Sequence, residues 1–325
     1  DWNGRSASEL VDSWAGPGVR EAIFERLSRL KFQLPCSEVS GAWLGARLYF
    51  REGSAPLGYI PRRNWTKVLC DGLTRLLVEA GVNIRVRTSV QKLVANGERL
   101  STVELANGEA LEPDLVVSTM PTEIYSAMAP ADSTPDIASI RYTAMISVIG
   151  AIKRRVEPDF YWMNLASLDR TACGIFKLNS LNPSIGEPGD SCINFVTHLQ
   201  SRHDPLFQRS DEELLAAYRD DFRSVFGFEF EPFWTQINRL PMYSPIFVRG
   251  YKNPPIKSST WRNVYFAGNY RTFPSVASTG TAMWSGLEAA RAILADLGCK
   301  ESDRLIGEVR GFRLRSMPRA RGVAE

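Results

Sequence analysis

Apolar positions recur at helical spacing through the first part of the chain. Leu10, Val11 and Trp14, then Val19, Ile23, Leu27 and Leu30, predict helices within residues 6–34, and residues 38–48 continue that character. A sharper amphipathic pattern spans residues 65–80. Trp65, Val68, Leu69, Leu73, Leu76, Leu77 and Ala80 share one face, and Gly81 stands where a left-handed C-terminal cap belongs. The period then falls to two. Val82 to Arg87 alternates apolar and polar and predicts a strand. Val90, Leu93 and Val94 lead to a further stretch, Ser101 to Leu105, and Asn107-Gly108 marks a hairpin turn. Leu115-Val116-Val117-Ser118-Thr119, ending at Met120-Pro121, has the short apolar form of a buried parallel strand.

Pro130 and Pro135 then bound a polar linker, beyond which residues 143–153, 160–165 and 191–196 predict strands. Ser210-Asp211-Glu212-Glu213 is a capping box. It opens a helix with Leu214, Leu215, Tyr218, Phe222, Val225 and Phe226 on one face. Near the end, Asn263-Val264-Tyr265-Phe266-Ala267-Gly268-Asn269 reads as a short buried strand and a tight glycine turn. A polar loop and a small-residue helix over residues 278–290 follow. A helix start rich in Ser, Thr and Gly offers backbone N–H groups and a positive dipole end to an anion or a carbonyl oxygen. Gly280 and Gly286 carry no side chain, so a bulky group can lie close against that helix.

Composition narrows the picture. The chain has 325 residues, 44% hydrophobic and 23% charged, which is enough for two domains and a large core. A formal net charge of +3 does not point to nucleic acid. No apolar run approaches the length of a membrane span, and no signal-peptide pattern is present. Five scattered cysteines without C-x-x-C argue for reduced thiols in a cytoplasmic protein rather than a disulfide framework or a zinc site. The two histidines, His198 and His203, flank Arg202 before Asp204-Pro205 and read as surface-loop residues rather than general bases. No protein-ligated metal is expected. After Gly298 the tail carries Lys300, Arg304, Arg310, Arg313, Arg315, Arg319 and Arg321. It reads as a solvated end, with contact to anionic membrane lipid as the alternative.

The strand, glycine turn and small-residue helix of residues 263–290 resemble the C-terminal FAD-contacting segment of flavin-dependent amine oxidases and their relatives, including protoporphyrinogen oxidase and the phytoene desaturases. The resemblance covers residues 8 to 297 or thereabouts. It implies an α/β fold, an FAD/NAD(P)-binding Rossmann-like domain, incomplete at its N-terminus, with an inserted α+β substrate domain. The implied division is a helical part of the substrate domain over residues 1–57 and the middle of the FAD-binding domain over 58–130. The α+β substrate domain then covers 131–254, the C-terminal FAD-binding part 255–298 and the basic tail 299–325.

With FAD as the implied cofactor, the family likeness assigns roles residue by residue. Backbone around Val90 would contact the adenine ring, although a valine there also suits a core, and Thr119 and Pro121 would pass the adenosine end. Gly268 would let backbone approach the ribityl and phosphate groups. Asn269 stands where relatives carry an acidic residue that bonds a ribityl hydroxyl. Thr279, Gly280 and Thr281 would place N–H groups near the flavin pyrimidine carbonyl, where negative charge grows on reduction. Pro241-Met242-Tyr243-Ser244-Pro245 resembles the segment lining the substrate side, which makes Tyr243 the candidate catalytic, substrate-facing aromatic. Tyr161 and Trp162 are weaker candidates of the same kind, and Lys153 reads as a surface lysine.

Two departures stand out. No G-x-G-x-x-G motif is present; Gly16-Pro17-Gly18-Val19-Arg20-Glu21 lacks the third glycine and follows no strand. The chain is therefore expected to be a fragment lacking roughly its first hundred residues. In Tyr59-Ile60-Pro61-Arg62-Arg63-Asn64-Trp65, either Arg62-Arg63 or Arg63-Asn64 stands where the family carries paired glycines. The arginines would either bind a phosphate of FAD or substrate, or mark decay of the site.

The family likeness implies hydride transfer from a C–N or C–C bond of a small molecule to flavin N5, within a range that includes lipid-linked and nucleotide-sugar substrates. A flavin-dependent mutase acting on a nucleotide sugar and a truncated, non-catalytic paralogue serving as a partner subunit are the alternatives. A cytoplasmic location, peripheral to the membrane if the tail binds lipid, is expected, with no nucleic-acid partner.

Overall fold

The computed structural model describes residues 2–51, 58–165 and 170–299. The basic tail from Lys300 onward, expected as a solvated end with lipid contact as the alternative, lies outside the described residues. The elements run α1 (Ala7–Trp14), α2 (Pro17–Val19), α3 (Glu25–Phe32), α4 (Gly41–Arg51) and α5 (Trp65–Glu79). Then come β1 (Val90–Asn96), β2 (Arg99–Leu105), β3 (Ala110–Leu111), β4 (Val116–Ser118), α6 (Thr122–Met128) and β5 (Tyr142–Ile152). The chain continues through β6 (Trp162–Asn164), β7 (Gly174–Lys177), α7 (Leu178–Leu181), β8 (Ser191–Leu199) and α8 (Asp211–Phe226). It ends with β9 (Trp234–Pro245), β10 (Val264–Phe266) and α9 (Thr279–Asp296). No described helix is long and apolar enough to cross a membrane.

The chain forms two compact units. One comprises Asp1–Ser89, Ser139–Asn253 and Phe273–Ala277, and the other Val90–Ala138, Pro254–Thr272 and the chain from Ser278 onward.

In the first unit a five-stranded antiparallel sheet has the order β6-β7-β8-β5-β9. Alternate residues of its central strands, Ile146 and Val148 on β5 and Ile193 and Phe195 on β8, are buried against Leu214, Tyr218 and Phe222 of α8. Burying each such side chain contributes about 1.5–3 kcal/mol. The capping box forms as its sequence predicts. Ser210 Oγ accepts the Glu213 N–H at 3.2 Å, and Glu213 Oε2 accepts the Ser210 N–H at 2.8 Å. Gly227, at φ +76°, closes the helix. Strands β7 and β9 are additions to the sequence reading. β9 is a sheet edge carrying Pro241, and its side chains up to Tyr243 are exposed or half-buried with none fully buried, so it lacks the apolar-in alternation that marks a half-buried strand.

A second core in this unit joins Leu10 and Val11 of α1, Phe32 of α3 and Trp43 of α4 to Phe247 and Tyr251. The expected helical stretch is interrupted at Gly16, where φ is +82°, and by a π-helical turn over Arg20–Phe24. Trp14, Ile23 and Leu27 are exposed, so only part of the predicted apolar face is covered. Helix α5 starts where Asn64 Oδ1 accepts the Lys67 N–H at 3.0 Å and is followed by Gly81 at φ +82°. Its apolar residues, Trp65, Leu73, Leu76 and Leu77 among them, remain exposed. The strand expected over Val82–Arg87 does not form. Val82, Ile84 and Val86 are exposed, and no neighbouring strand among the described residues gives the alternation a partner.

In the second unit β1, β2 and β3 make an antiparallel sheet, and the Asn107-Gly108 turn forms with Gly108 at φ +88°. Strands β4 and β10 pair in parallel, Val116 with Val264, Val117 with Tyr265 and Ser118 with Phe266. β10 is fully buried, but β4 is not. Val117 is 43% exposed because β4 has a strand on one side only among the described residues. Asn263 fastens this pair to the antiparallel sheet, its amide exchanging two hydrogen bonds of 2.9 Å with the Leu100 backbone. The five cysteines are free thiols, and burial pushes Cys36 up to about 11.

Candidate functional site

The two parallel strands of the second unit end together, β4 at Ser118 and β10 at Phe266. Ligands of parallel α/β sheets bind outside such carboxyl ends, where chains leave the sheet and expose backbone groups. Ser118 is 4% exposed, and its hydroxyl has no hydrogen-bond partner among the described residues. Its carbonyl is held by the Ala267 N–H at 3.0 Å and the Tyr270 hydroxyl at 3.3 Å. A buried hydroxyl without a partner costs about 1–3 kcal/mol, which a bound polar group would offset.

Gly268 turns the chain after β10. Its φ of +143° is strained for any side chain, and a Cβ would lie 2.8 Å from the Tyr270 ring. Its N–H donates to Ser285 Oγ at 2.8 Å, and that hydroxyl donates to the Ala282 carbonyl at 2.6 Å, inside α9. Arg271 is buried and donates to the Pro254 carbonyl at 3.0 Å, while its guanidinium lies 3.7 Å from Glu288. The glycine turn is thereby fixed to the helix that follows.

Helix α9 begins with a capping box. Ser278 Oγ accepts the Thr281 N–H at 3.3 Å, and Thr281 Oγ1 accepts the Ser278 N–H at 3.0 Å. Ser278, Thr279 and Gly280 are exposed, so the positive end of an 18-residue helix faces open space. A Cβ built on Gly280 or Gly286 meets nothing within 4 Å among the described residues. Each helical glycine costs about 1 kcal/mol relative to alanine. Packing within the described chain gives no reason for either. The buried orphan hydroxyl, the side-chain-free helix face and the exposed donors together fit a large planar cofactor with carbonyl and phosphate acceptors.

The predicted residues fall in four places. Thr119 (exposed) and Pro121 (half-buried, at the start of α6) follow β4, whereas Gly268 and Asn269 (both half-buried) follow β10; these meet at one end of the parallel pair. Thr279, Gly280 and Thr281 form the first turn of α9 in the same unit. Val90 opens β1, opposite Leu105 in the antiparallel sheet, and is half-buried. Tyr243 belongs to the first unit, on β9. Ser285 and Arg271 were not legible as site residues, because a Ser inside a helix and an Arg after a turn carry no signal of their own.

In the first unit His198 is not a loop residue. It lies on β8, and its ring centroid is 5.4 Å from that of Tyr243. Burial, with Lys31 nearby, pushes its imidazole down to about 3, so it is neutral at pH 7. His203 is exposed in a turn, as expected. Lys153 reaches solvent and pairs with Asp190 at 3.2 Å. Arg62 takes the left-handed φ of +54° that the absent glycine would supply, and its N–H donates to Ser184 Oγ at 2.7 Å. Arginine thus keeps the turn.

A family model described as flavin containing amine oxidoreductase matches residues 24–294. No curated protein matches the chain. Among solved structures, a protein assigned as a protoporphyrinogen oxidase from Exiguobacterium sp. 255-15 is similar at 15% identity and a TM-score of 0.67, over 87% of this chain and 67% of that one. A reduced UDP-galactopyranose mutase shares 14% identity at a TM-score of 0.69, over 94% and 71%. An oxidoreductase from Methanosarcina mazei shares 14% at a TM-score of 0.64, over 88% and 68%. At these identities the likeness is one of fold.

Proposed function

The chain belongs to the flavin-containing amine oxidoreductase family, and from that premise we propose that it is an FAD-dependent oxidoreductase acting on a C–N or C–C bond of a small molecule. The cofactor, when bound, supplies the hydride acceptor at flavin N5. The second unit would hold it. The first turn of α9 would aim the Thr279 and Gly280 N–H groups and the helix dipole at an acceptor that gains negative charge, a stabilisation realised as reduction proceeds, whereas the Thr281 N–H is taken by the Ser278 hydroxyl. Gly280 and Gly286 leave the helix face open to a flat ring. Gly268 admits backbone close to a phosphate or sugar. Asn269 offers an amide to a ribityl hydroxyl without the charge of a carboxylate. The Ser118 hydroxyl is free to donate or accept at the strand end.

The observation that carries this reading is the pair of helical glycines with open space beyond them. A visible absorption spectrum of the purified chain, followed by identification of any flavin released on denaturation, tests it. Bound FAD is the expected result. A colourless protein that also takes up no added FAD would contradict the proposal.

A further inference from the structure

The five-stranded sheet of the first unit has two faces, and they differ in chemistry. Ile146 and Val148 of β5, Ile175 of β7 and Ile193 and Phe195 of β8 lie on the α8 side and are 0% exposed. Cross-strand partners share a face, so the register lays out the other side. One row there crosses all five strands as Trp162, Phe176, Asn194, Ile149 and Gln236. The next row begins at Asn164 and Gly174 and continues through Val196 and Ser147 to Asn238.

This second face is partly open and carries no charge. Trp162 is 40% exposed, Asn164 and Gln236 are exposed, and Phe176, Asn194, Ile149 and Asn238 are half-buried. Neither row contains Asp, Glu, Lys or Arg, although these make up 23% of the chain. A sheet face that meets only solvent ordinarily carries such charges. Here amides and aromatic rings stand instead, and they are held in place. The Trp162 indole stacks on the Phe176 ring at 5.3 Å and 17°, and Tyr161 meets the same ring edge-on at 5.8 Å. Gly174 leaves room for the indole, since a Cβ there would lie 3.4 Å from Trp162 Nε1. Ser147 Oγ donates to Asn194 Oδ1 at 2.8 Å, which fixes the amide and leaves its NH2 group without an acceptor among the described residues. Gln236 Nε2 donates to Asn238 Oδ1 at 3.4 Å, so the Gln236 oxygen and the Asn238 NH2 group remain available.

The face selects by its chemistry. An ion brought onto it would lose hydration and find no counter-charge there. An amide both donates and accepts, as a sugar hydroxyl does. The electron-rich face of an indole attracts the polarised C–H groups on the flat side of a sugar ring.

We infer that the sheet face away from α8 receives a neutral saccharide ring of the substrate, with Trp162 stacking on the ring and Asn194, Gln236 and Asn238 bonding its hydroxyls. This site rests on the oxidoreductase reading only in that the saccharide is called its substrate.

Indole fluorescence and saturation-transfer NMR of the full chain at pH 7, with and without saturating FAD, test this with glucose, galactose and N-acetylglucosamine. Glucuronate, galacturonate and glucosamine are their charged counterparts, and adenosine supplies a flat aromatic ring. The variants Trp162→Ala, Trp162→Phe and Gln236→Ala replace exposed side chains, and melting curves check their folding. The expected result is saturable binding of at least one neutral sugar, about tenfold tighter than its charged counterpart. That binding should weaken about tenfold in Trp162→Ala and in Gln236→Ala and be largely kept in Trp162→Phe. Absence of binding by every neutral sugar, equal binding of a charged counterpart, or equal binding by folded Trp162→Ala overturns the inference. Binding of adenosine alone overturns it in favour of an aromatic base. Flavin uptake without sugar binding overturns only this site, whereas sugar binding without flavin uptake leaves the site and contradicts the oxidoreductase reading.

Discussion

The backbone N–H of Gly268 donates to the hydroxyl of Ser285 at 2.8 Å, so the turn leaving β10 is held by a side chain from within α9. Ser285 is 1% exposed, so its hydroxyl is shielded from bulk solvent. Ser285→Ala leaves a buried donor unpaired and is expected to lower stability by about 1–3 kcal/mol. Flavin affinity should fall as well, since turn and helix would no longer be held in register. Urea melts and flavin titration of the variant measure both effects; unchanged values would show that the bond does not set the turn.

Ser118 behaves in the opposite sense. Its hydroxyl is buried and unpaired, so Ser118→Ala removes an unsatisfied group and is expected to leave the flavin-free chain equally stable or about 1 kcal/mol more stable. The same change should weaken flavin binding. Loss of stability in the flavin-free protein would place the hydroxyl in a purely structural role.

Lys31 is a charge kept against stability. Its ordinary value near 10.5 falls to about 8 through burial and the nearby Arg47. Below pH 8 both folded and unfolded chains carry the charge and the folded chain bears the full penalty. Between pH 8 and 10.5 the folded chain sheds the proton first, and stability rises with pH. Lys31→Met should therefore stabilise the protein at pH 7 by about 1–3 kcal/mol, with the gain shrinking above pH 8. Chemical denaturation at pH 7 and 10 reads this directly.

His198 gives a pH dependence at the acid end. Burial first, and Lys31 second, depress its imidazole to about 3 from an ordinary value near 6.5, and Tyr243 and Arg47 complete its surroundings. Below pH 6.5 the unfolded chain takes up a proton that the folded chain refuses. The stability conferred by neutral His198 is thus present above pH 6.5 and is lost as pH falls toward 3. Between pH 7 and 4.5 the loss is about 2 kcal/mol, and His198→Gln should remove that component. Parallel pH-stability curves for the two proteins would refute the assignment.

Local chemistry was legible where the signal was local. The α8 capping box, the Asn107-Gly108 turn and the glycine-bearing start of α9 all follow from neighbouring residues. Features that depend on a distant partner were not. Val82–Arg87 alternates like a strand yet pairs with nothing described, and the α5 face was read correctly as apolar although its own unit leaves it exposed. β9 escaped notice because Pro241 and its edge position erase the alternation. His198 was misread because the polar run just after it, Ser201 to Pro205, has the composition of a loop. Its neighbours, Lys31, Arg47 and Tyr243, are assembled only by the packing of helices on strands.

The central claim is that the open face of α9 is a flavin surface, and Gly280 tests it most directly. A side chain there meets no described atom within 4 Å, so Gly280→Leu should leave the fold intact and favour the helix by about 0.5–1 kcal/mol. The measurement is a flavin-fluorescence titration of the native chain and the variant, with melting curves alongside. Saturable micromolar quenching by the native chain, abolished in an equally or more stable Gly280→Leu, is the predicted result. Equal flavin binding by both proteins, or none by the native chain up to hundreds of micromolar, would contradict it.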